Sequence, residues 1–147
     1  ARLPYIDKAR IGIFGWSFGG YMACLAATRG GDIWRAAVAV APVTSWRFYD
    51  TIYTERYLST PQENPQGYDL NSPLTYADDL SSRLLLVHGT ADDNVHFQNS
   101  MQFSGLLVSA GKPFEQMVYA DKNHSIYGGA TRLHLFSKIT NFLLTNL

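Results

Sequence analysis

The chain has 147 residues, of which 46% are hydrophobic and 16% are charged. That composition excludes a disordered chain, and the length suits one domain with a buried core. Twelve basic and twelve acidic side chains balance to a formal charge of zero, so net charge gives no reason to expect a nucleic-acid partner. No apolar run approaches the ~18 residues that a membrane-spanning helix needs, so we expect no membrane-inserted segment.

Strands and helices alternate along the predicted chain. A short apolar run predicts a buried strand at 10–14, and an Ala-, Met- and Leu-rich run predicts a helix at 21–28. The other predicted elements are strands at 36–41, 83–88 and 115–119 and helices at 97–110 and 133–147. Strands that alternate with helices indicate an α/β fold, with a mostly parallel sheet and helices on both of its faces.

The last helix and the segment at 59–75 carry contrasting patterns. The helix has a nearly continuous apolar face, which makes it amphipathic and a candidate contact for self-association, made of Leu133, Phe136, Ile139, Leu143 and Leu147. Residues 59–75 contain three prolines, which predicts an irregular excursion within the same domain rather than a linker. The lone Cys24, among small residues of the first helix, is predicted to be a buried structural thiol.

Residues 15–19 form the pentapeptide Gly-Trp-Ser-Phe-Gly, between a predicted strand and a predicted helix. This G-x-S-x-G context is typical of the strained turn that exposes a nucleophilic serine in α/β-hydrolases, although an ordinary glycine-rich turn is the alternative. Flanking glycines leave space where a Cβ would collide, and the turn points the Phe18 amide toward the anion formed when the serine attacks a carbonyl. We therefore predict Ser17 as the nucleophile and Phe18 as an oxyanion-hole residue.

A serine hydroxyl needs a base, and the base needs an acid to orient it. Among four histidines, His124 lies in a polar loop just after the last predicted strand, where a base would stand beside Ser17. His88 ends a strand and is predicted to be structural. The loop after that strand offers Asp92 and Asp93 as the acid, and the pattern does not choose between them. The chain order of serine, aspartate and histidine is that of α/β-hydrolases.

Three aromatic residues follow the second predicted strand at helical spacing. Trp46, Tyr49 and Tyr53 stand at i, i+3 and i+7, which predicts one aromatic face of a helix. Such a face usually packs into the core. Because the preceding strand should end at the site, a substrate pocket is the competing interpretation.

Four segments, GWSFGGY, APVTSWRFYDTIYTERY, HGTADDNVHFQ and DKNHSIYGG, together resemble the dipeptidyl peptidase IV-like serine peptidases of the prolyl oligopeptidase family. The segments occur in the same order and cover most of the chain. The resemblance implies that residues 1–147 are the C-terminal part of an α/β-hydrolase catalytic domain. It also implies that an acyl-enzyme releases X-Pro, or less readily X-Ala, dipeptides from peptide N-termini, without a metal or cofactor.

The resemblance further assigns site residues. It implies Ser17 as nucleophile, His124 as base and Asp92, not Asp93, as acid. The residues that match the family's proline pocket are Val43, Trp46, Tyr49, Tyr53 and Val95, and Asn94 matches a residue that holds a substrate carbonyl. Phe18 stands where animal relatives have tyrosine, so only its amide is expected to serve the oxyanion.

The family pattern also includes upstream parts that this sequence does not show. They are a β-propeller whose acidic residues bind the substrate's amino group, a tyrosine of the oxyanion hole, and the first strands of the hydrolase sheet. We therefore expect a piece of a longer protein, nearly inactive alone, that self-associates or forms a homodimer. The PQENPQGYD segment is similar to bacterial relatives, including prolyl tripeptidyl aminopeptidases. Tripeptidyl or acylaminoacyl peptidase activity and a non-catalytic binding homologue are the alternatives, and a bacterial periplasm or cell envelope is the expected location.

Overall fold

A computed structural model describes residues 3–147. Its strands are β1 (Gly12–Trp16), β2 (Ala36–Val40), β3 (Arg83–Gly89) and β4 (Glu115–Tyr119). They form one parallel sheet, as predicted, and their order in it is β1-β2-β3-β4. β1 lies two residues later than predicted, because its pairing with β2 continues to Trp16 opposite Val40.

The α-helices are α1 (Phe18–Arg29), α2 (Thr51–Leu58), α3 (Pro65–Asp69), α4 (Gln98–Ser109) and α5 (Thr131–Asn146). Short 3-10 turns occupy Gly31–Ile33, Trp46–Phe48 and Pro73–Asp79. α1 begins immediately after Ser17, three residues earlier than predicted. No helix among residues 3–147 is both long and apolar enough to cross a membrane.

Side chains of β2 and β3 alternate between two apolar layers, which places helices on both faces of the sheet. On one face, Leu84 and Leu86 pack in a cluster with residues of α1 and α4, including Phe103. Cys24 is fully buried in that layer, which confirms the predicted structural thiol, and burial raises its pKa far above the ordinary range. On the other face, β2 and β3 residues such as Val38 pack against α5.

The predicted amphipathic helix is present as α5, but its buried residues are not the predicted apolar set. Leu135, Ile139 and Phe142, at i, i+4 and i+7, are buried against the sheet. Leu133 and Phe136 belong to the predicted face but are 74% and 45% exposed. Within residues 3–147, β1 pairs only with β2, so its outer edge is open. Dimerisation or self-association through these surfaces stays a prediction.

The segment at 59–75 is more regular than predicted. It contains α3, whose first turn is capped because the Asn64 side chain accepts a hydrogen bond from the Gly67 amide. Arg47 holds this helix through a bidentate contact with Asp69, at 2.9 and 3.1 Å. The buried Tyr68 donates its hydroxyl to the carbonyl of Ser59. A local cap and tertiary contacts therefore overcome the proline-rich composition.

Candidate active site

Ser17 stands at the sharp turn between β1 and α1, with φ 59° and ψ −118°. A positive φ is uncommon for a residue with a side chain, and such strain is concentrated at functional sites. The turn is held because the Ser17 amide donates to the Val40 carbonyl at 2.8 Å. Phe18 is the first residue of α1, so its amide has no acceptor within the helix.

Close backbone approaches explain two glycines near this turn. A Cβ at Gly15 would overlap the backbone carbonyl of Gly19, and one at Gly20 would lie 2.8 Å from the Val40 carbonyl oxygen. A Cβ at Gly19 would meet nothing within 4 Å, so the predicted collision is wrong for that position. Sequence reasoning missed Gly20, whose small size lets α1 pack closely on β2.

The buried Asp92 and the partly exposed His124 form a pair beyond the ends of β3 and β4. His124 Nδ1 lies 2.7 Å from Asp92 Oδ2, and Asp92 is only 5% exposed. Burial alone would raise the pKa of Asp92, but hydrogen bonds from His124, His88 and the Asn94 amide hold it well below the ordinary range. An ionised carboxylate only accepts hydrogen bonds, so Nδ1 of His124 carries the hydrogen and Nε2 stays available as a base.

The structure brings His124 against Asp92 and leaves Asp93 exposed. Asp92 Oδ1 accepts hydrogen bonds from the amides of Asn94 and Val95 at 3.0 and 2.9 Å. Neither Asp93 nor Asn94 caps the following helix, because the residue before α4 is Phe97, which makes no side-chain cap.

The loops that carry Asp92 and His124 are joined through their backbones. Gly89 approaches Lys122 so closely that a Cβ there would overlap the Lys122 carbonyl, and the Ala91 amide donates to the same carbonyl at 3.0 Å. Trp16, the last residue of β1, donates its Nε1 hydrogen to the His124 carbonyl at 2.9 Å. Sequence reasoning missed this contact of Trp16, which ties the turn at Ser17 to the loop of His124.

Ser17 and His124 both lie at the carboxyl ends of the parallel strands, Ser17 just after β1 and His124 in the loop after β4. Within residues 3–147, no hydrogen bond joins the Ser17 hydroxyl to His124. Catalytic hydrogen bonds of this kind commonly tighten only when substrate binds.

Trp46, Tyr49 and Tyr53 do not share one helix, so that prediction is wrong. Trp46 begins a 3-10 turn, and a new helix starts after Asp50, whose side chain accepts the Tyr53 amide at 2.8 Å. The rings nevertheless meet, because this break turns them toward one another. Trp46 stacks on Tyr53 with centroids 5.9 Å apart, and Tyr49 meets both rings edge-on. The ring centroids of Phe18 and Trp46 are 5.8 Å apart, which places the aromatic cluster beside the turn at Ser17.

An open, largely apolar pocket lies beside these rings. Its walls are Phe18, Tyr21, Trp46, Tyr53, Thr54, Tyr57, Leu58 and Asn71. Sequence reasoning missed Tyr21, Tyr57 and Asn71, which reach the pocket only through the packing of α1, α2 and the 59–75 segment. We call these walls the aromatic pocket.

The other predicted binding residues do not line the aromatic pocket; they are Val43, Tyr49, Asn94 and Val95. Val43 and Val95 are buried, at 2% and 0% exposure, in the apolar cluster that supports Trp46. Tyr49 donates its hydroxyl to Asn94 Oδ1 at 2.9 Å. Tyr49 and Asn94 line a second, more polar cleft together with Arg47 and Asp93. Their roles in binding substrate stay predictions.

Known proteins resemble this chain over its whole length. The sequence profile described as "Prolyl oligopeptidase family" matches residues 1–147. The chain belongs to the prolyl oligopeptidase family. It is 41% identical to "Dipeptidyl peptidase 4" of Felis catus over 146 residues, which are 97% of this chain and 19% of that protein. It is 44% identical to "Dipeptidyl peptidase 8" of Homo sapiens over 150 residues, covering 100% of this chain and 17% of that protein.

A solved structure of a relative has the same fold as this chain. The crystal structure of Porphyromonas gingivalis dipeptidyl peptidase 4 is 54% identical, with a TM-score of 0.98, and the match covers 99% of this chain and 21% of that one. The predicted family and the predicted α/β-hydrolase core are both confirmed. The chain thus spans about a fifth of the length of the relatives that it matches.

Proposed function

We propose that this chain forms the catalytic core of a serine exopeptidase that releases X-Pro, or less readily X-Ala, dipeptides from peptide N-termini. The observation that carries the proposal is the 2.7 Å contact between Asp92 and His124, at the carboxyl ends of the strands, where the strained Ser17 turn also lies. A family member that only bound peptides would need neither a buried acid aimed at a histidine nor a strained serine. The family's relatives with dipeptidyl peptidase names support the substrate class.

In the proposed reaction, His124 Nε2 takes the proton from Ser17 Oγ while Oγ attacks the carbonyl carbon of the substrate's second residue. The Phe18 amide donates to the resulting oxyanion. Collapse of this intermediate breaks the peptide C–N bond, and the departing amine takes the proton from His124. The ester on Ser17 is then hydrolysed by water, which His124 activates in the same way, and the free dipeptide leaves.

The aromatic pocket supports the proposed preference for proline. A pyrrolidine ring is apolar and flat enough to lie against Trp46 and Tyr53, and it has no N–H that such a pocket would leave unpaired. Asn94 supports a polar role next to it. Because Oδ1 accepts the Tyr49 hydroxyl, the amide NH2 of Asn94 is oriented away from Tyr49 and can donate to a substrate carbonyl.

The test compares substrates and labels Ser17 in the full-length gene product. We expect Gly-Pro-p-nitroanilide to be cleaved faster than Ala-Ala-Pro-p-nitroanilide and N-acetyl-Ala-p-nitroanilide, and a fluorophosphonate probe to label wild type but not Ser17→Ala. Faster cleavage of the tripeptide or acetylated substrate would replace the dipeptidyl assignment by one of the two alternatives. Absence of fluorophosphonate labelling on Ser17 would contradict a serine hydrolase altogether.

A further inference from the structure

His88 is a buried histidine that the proposed reaction does not use. It lies near the end of β3 with 0% exposure. Its Nε2 atom is 2.8 Å from the Val95 carbonyl oxygen and 3.2 Å from Asp92 Oδ2. Its Nδ1 atom is 2.6 Å from the hydroxyl of Ser100, which is also fully buried. A structural histidine was predicted here, but contact with the carboxylate that holds His124 was not.

These contacts decide where the ring carries its hydrogen. A carbonyl and an ionised carboxylate can only accept hydrogen bonds, so Nε2 of His88 must donate. In a neutral imidazole Nδ1 is then the acceptor, and the Ser100 hydroxyl donates to it. All polar atoms of the buried group are satisfied in this arrangement, because the two acceptors at Nε2 fix the tautomer and the Ser100 hydroxyl donates to Nδ1.

The consequence falls on Asp92, whose carboxylate has donors on both oxygens. Oδ1 accepts the backbone amides of Asn94 and Val95, and Oδ2 accepts His124 and lies 3.2 Å from His88 Nε2. The single Nε2 hydrogen of His88 is shared between the Val95 carbonyl and Oδ2, so His88 is the weaker of the two donors to this oxygen. Backbone holds only Oδ1, so His88 is the second anchor of the oxygen that His124 uses.

The geometry points to His88, fixed by Ser100, as a positioning residue for the reaction proposed above, holding Asp92 Oδ2 in line with His124 Nδ1. The inference rests on the proposed function, because it matters only if His124 acts as the base. The titratable groups that act on Asp92 are His88 and His124 by contact and, at longer range, the phenol of Tyr49. Phe97 packs edge-on against the His88 ring, with centroids 5.6 Å apart, and limits its movement.

The experiment replaces His88 in the full-length gene product by leucine, which fills the space but donates nothing. Without its second anchor, Oδ2 can turn away from His124, so the imidazolium formed during the reaction is less stabilised. We expect kcat for Gly-Pro-p-nitroanilide to fall by about tenfold to a hundredfold with KM little changed, well short of the ~10⁴-fold cost of losing the acid's charge. The acid limb of the kcat/KM profile should move to lower pH.

Two further variants separate positioning from packing. His88→Gln keeps an N–H donor and should recover most of the lost kcat. Ser100→Ala removes the donor to Nδ1, which loosens the hold on the His88 ring, and should lower kcat several-fold with the same direction of shift in the acid limb. His134→Gln is the matched control, because His134 bonds the Tyr119 hydroxyl at 2.8 Å, and should leave kcat unchanged.

The outcomes distinguish this inference from the proposed function. If wild type shows no Ser17-dependent hydrolysis, the proposed function fails first and the inference fails with it. If wild type is active and folded His88→Leu keeps its kcat, or loses kcat with an unmoved acid limb, His88 only fills space and the inference is overturned. Should His88→Leu not fold, wild-type kinetics in Ser100→Ala would overturn it equally.

Discussion

Asp92 is 5% exposed and accepts hydrogen bonds on both carboxylate oxygens, whereas Tyr53, in the wall of the aromatic pocket, is 40% exposed. The phenol of Tyr53 has no hydrogen bond within residues 3–147, and its ring is held by Trp46 and Tyr49. Asp92 is therefore fixed by backbone amides and histidine donors, while the wall of the pocket is assembled from rings that pack on one another. This difference predicts large effects on turnover from the first region and selective effects on substrate choice from the second.

The largest expected effect tests the acid–base pair. In the full-length gene product, Ser17→Ala and His124→Ala should each remove nearly all hydrolysis of Gly-Pro-p-nitroanilide, because the two groups act as a unit. Asp92→Asn should lower kcat by on the order of 10⁴-fold, since the amide cannot stabilise the imidazolium. The exposed Asp93 supplies the control, and a greater loss in Asp93→Asn than in Asp92→Asn would show that we have chosen the wrong acid.

The next effect tests the pocket. Tyr53→Ala should lower kcat/KM for Gly-Pro-p-nitroanilide by roughly 10- to 200-fold, because one lost apolar contact is worth ~1–3 kcal/mol of discrimination. The melting temperature should change little, since the side chain is substantially exposed. Tyr5→Ala, a change at an exposed tyrosine outside the pocket, should alter neither quantity. Unfolding of Tyr53→Ala without a selective kinetic change would mean that the aromatic cluster is only core.

A smaller effect is expected at the hydrogen bond that joins Trp16 to the loop of His124. Trp16→Phe removes the indole donor to the His124 carbonyl but keeps most of the ring. A neutral hydrogen bond contributes about 0.5–1.5 kcal/mol, so kcat should fall by only a few-fold to about tenfold. Steady-state kinetics at saturating substrate measures this. A loss as large as that of His124→Ala would mean that the base's loop depends on Trp16 far more than one contact implies.

The smallest effect is on stability in acid. The pKa of Asp92 is lower in the folded chain than in the unfolded chain, so the stability it contributes is present above the unfolded carboxyl pKa, about 3.9, and is lost as pH falls below it. The melting temperature of wild type should therefore fall more steeply than that of Asp92→Asn between about pH 5 and pH 3. Asp93→Asn should follow wild type, and parallel curves for all three proteins would contradict the lowered pKa.

Much of this molecule could be predicted because its strands and helices are local features. The strand at 115–119 matches β4 residue for residue, and the others differ by a few residues at their ends. The turn at Ser17 could also be placed, because glycine, serine, strand and helix are neighbours in the chain. Where a local feature competed with tertiary packing, prediction failed, as for Trp46 and Tyr53, which lie in a 3-10 turn and a separate helix.

The sequence by itself determined the parallel α/β order, the strained serine turn and the family. Only the tertiary structure decided which atoms meet at the site. Trp16 and His124 are 108 positions apart, and Asp92 and His124 are 32 apart, so no local pattern could report their contacts. His88 could be predicted as buried, but its contact with Asp92 depends on the turn after β3 folding back within hydrogen-bonding distance. Such distances follow from how whole strands and loops pack, which is a property of the folded chain and not of any segment.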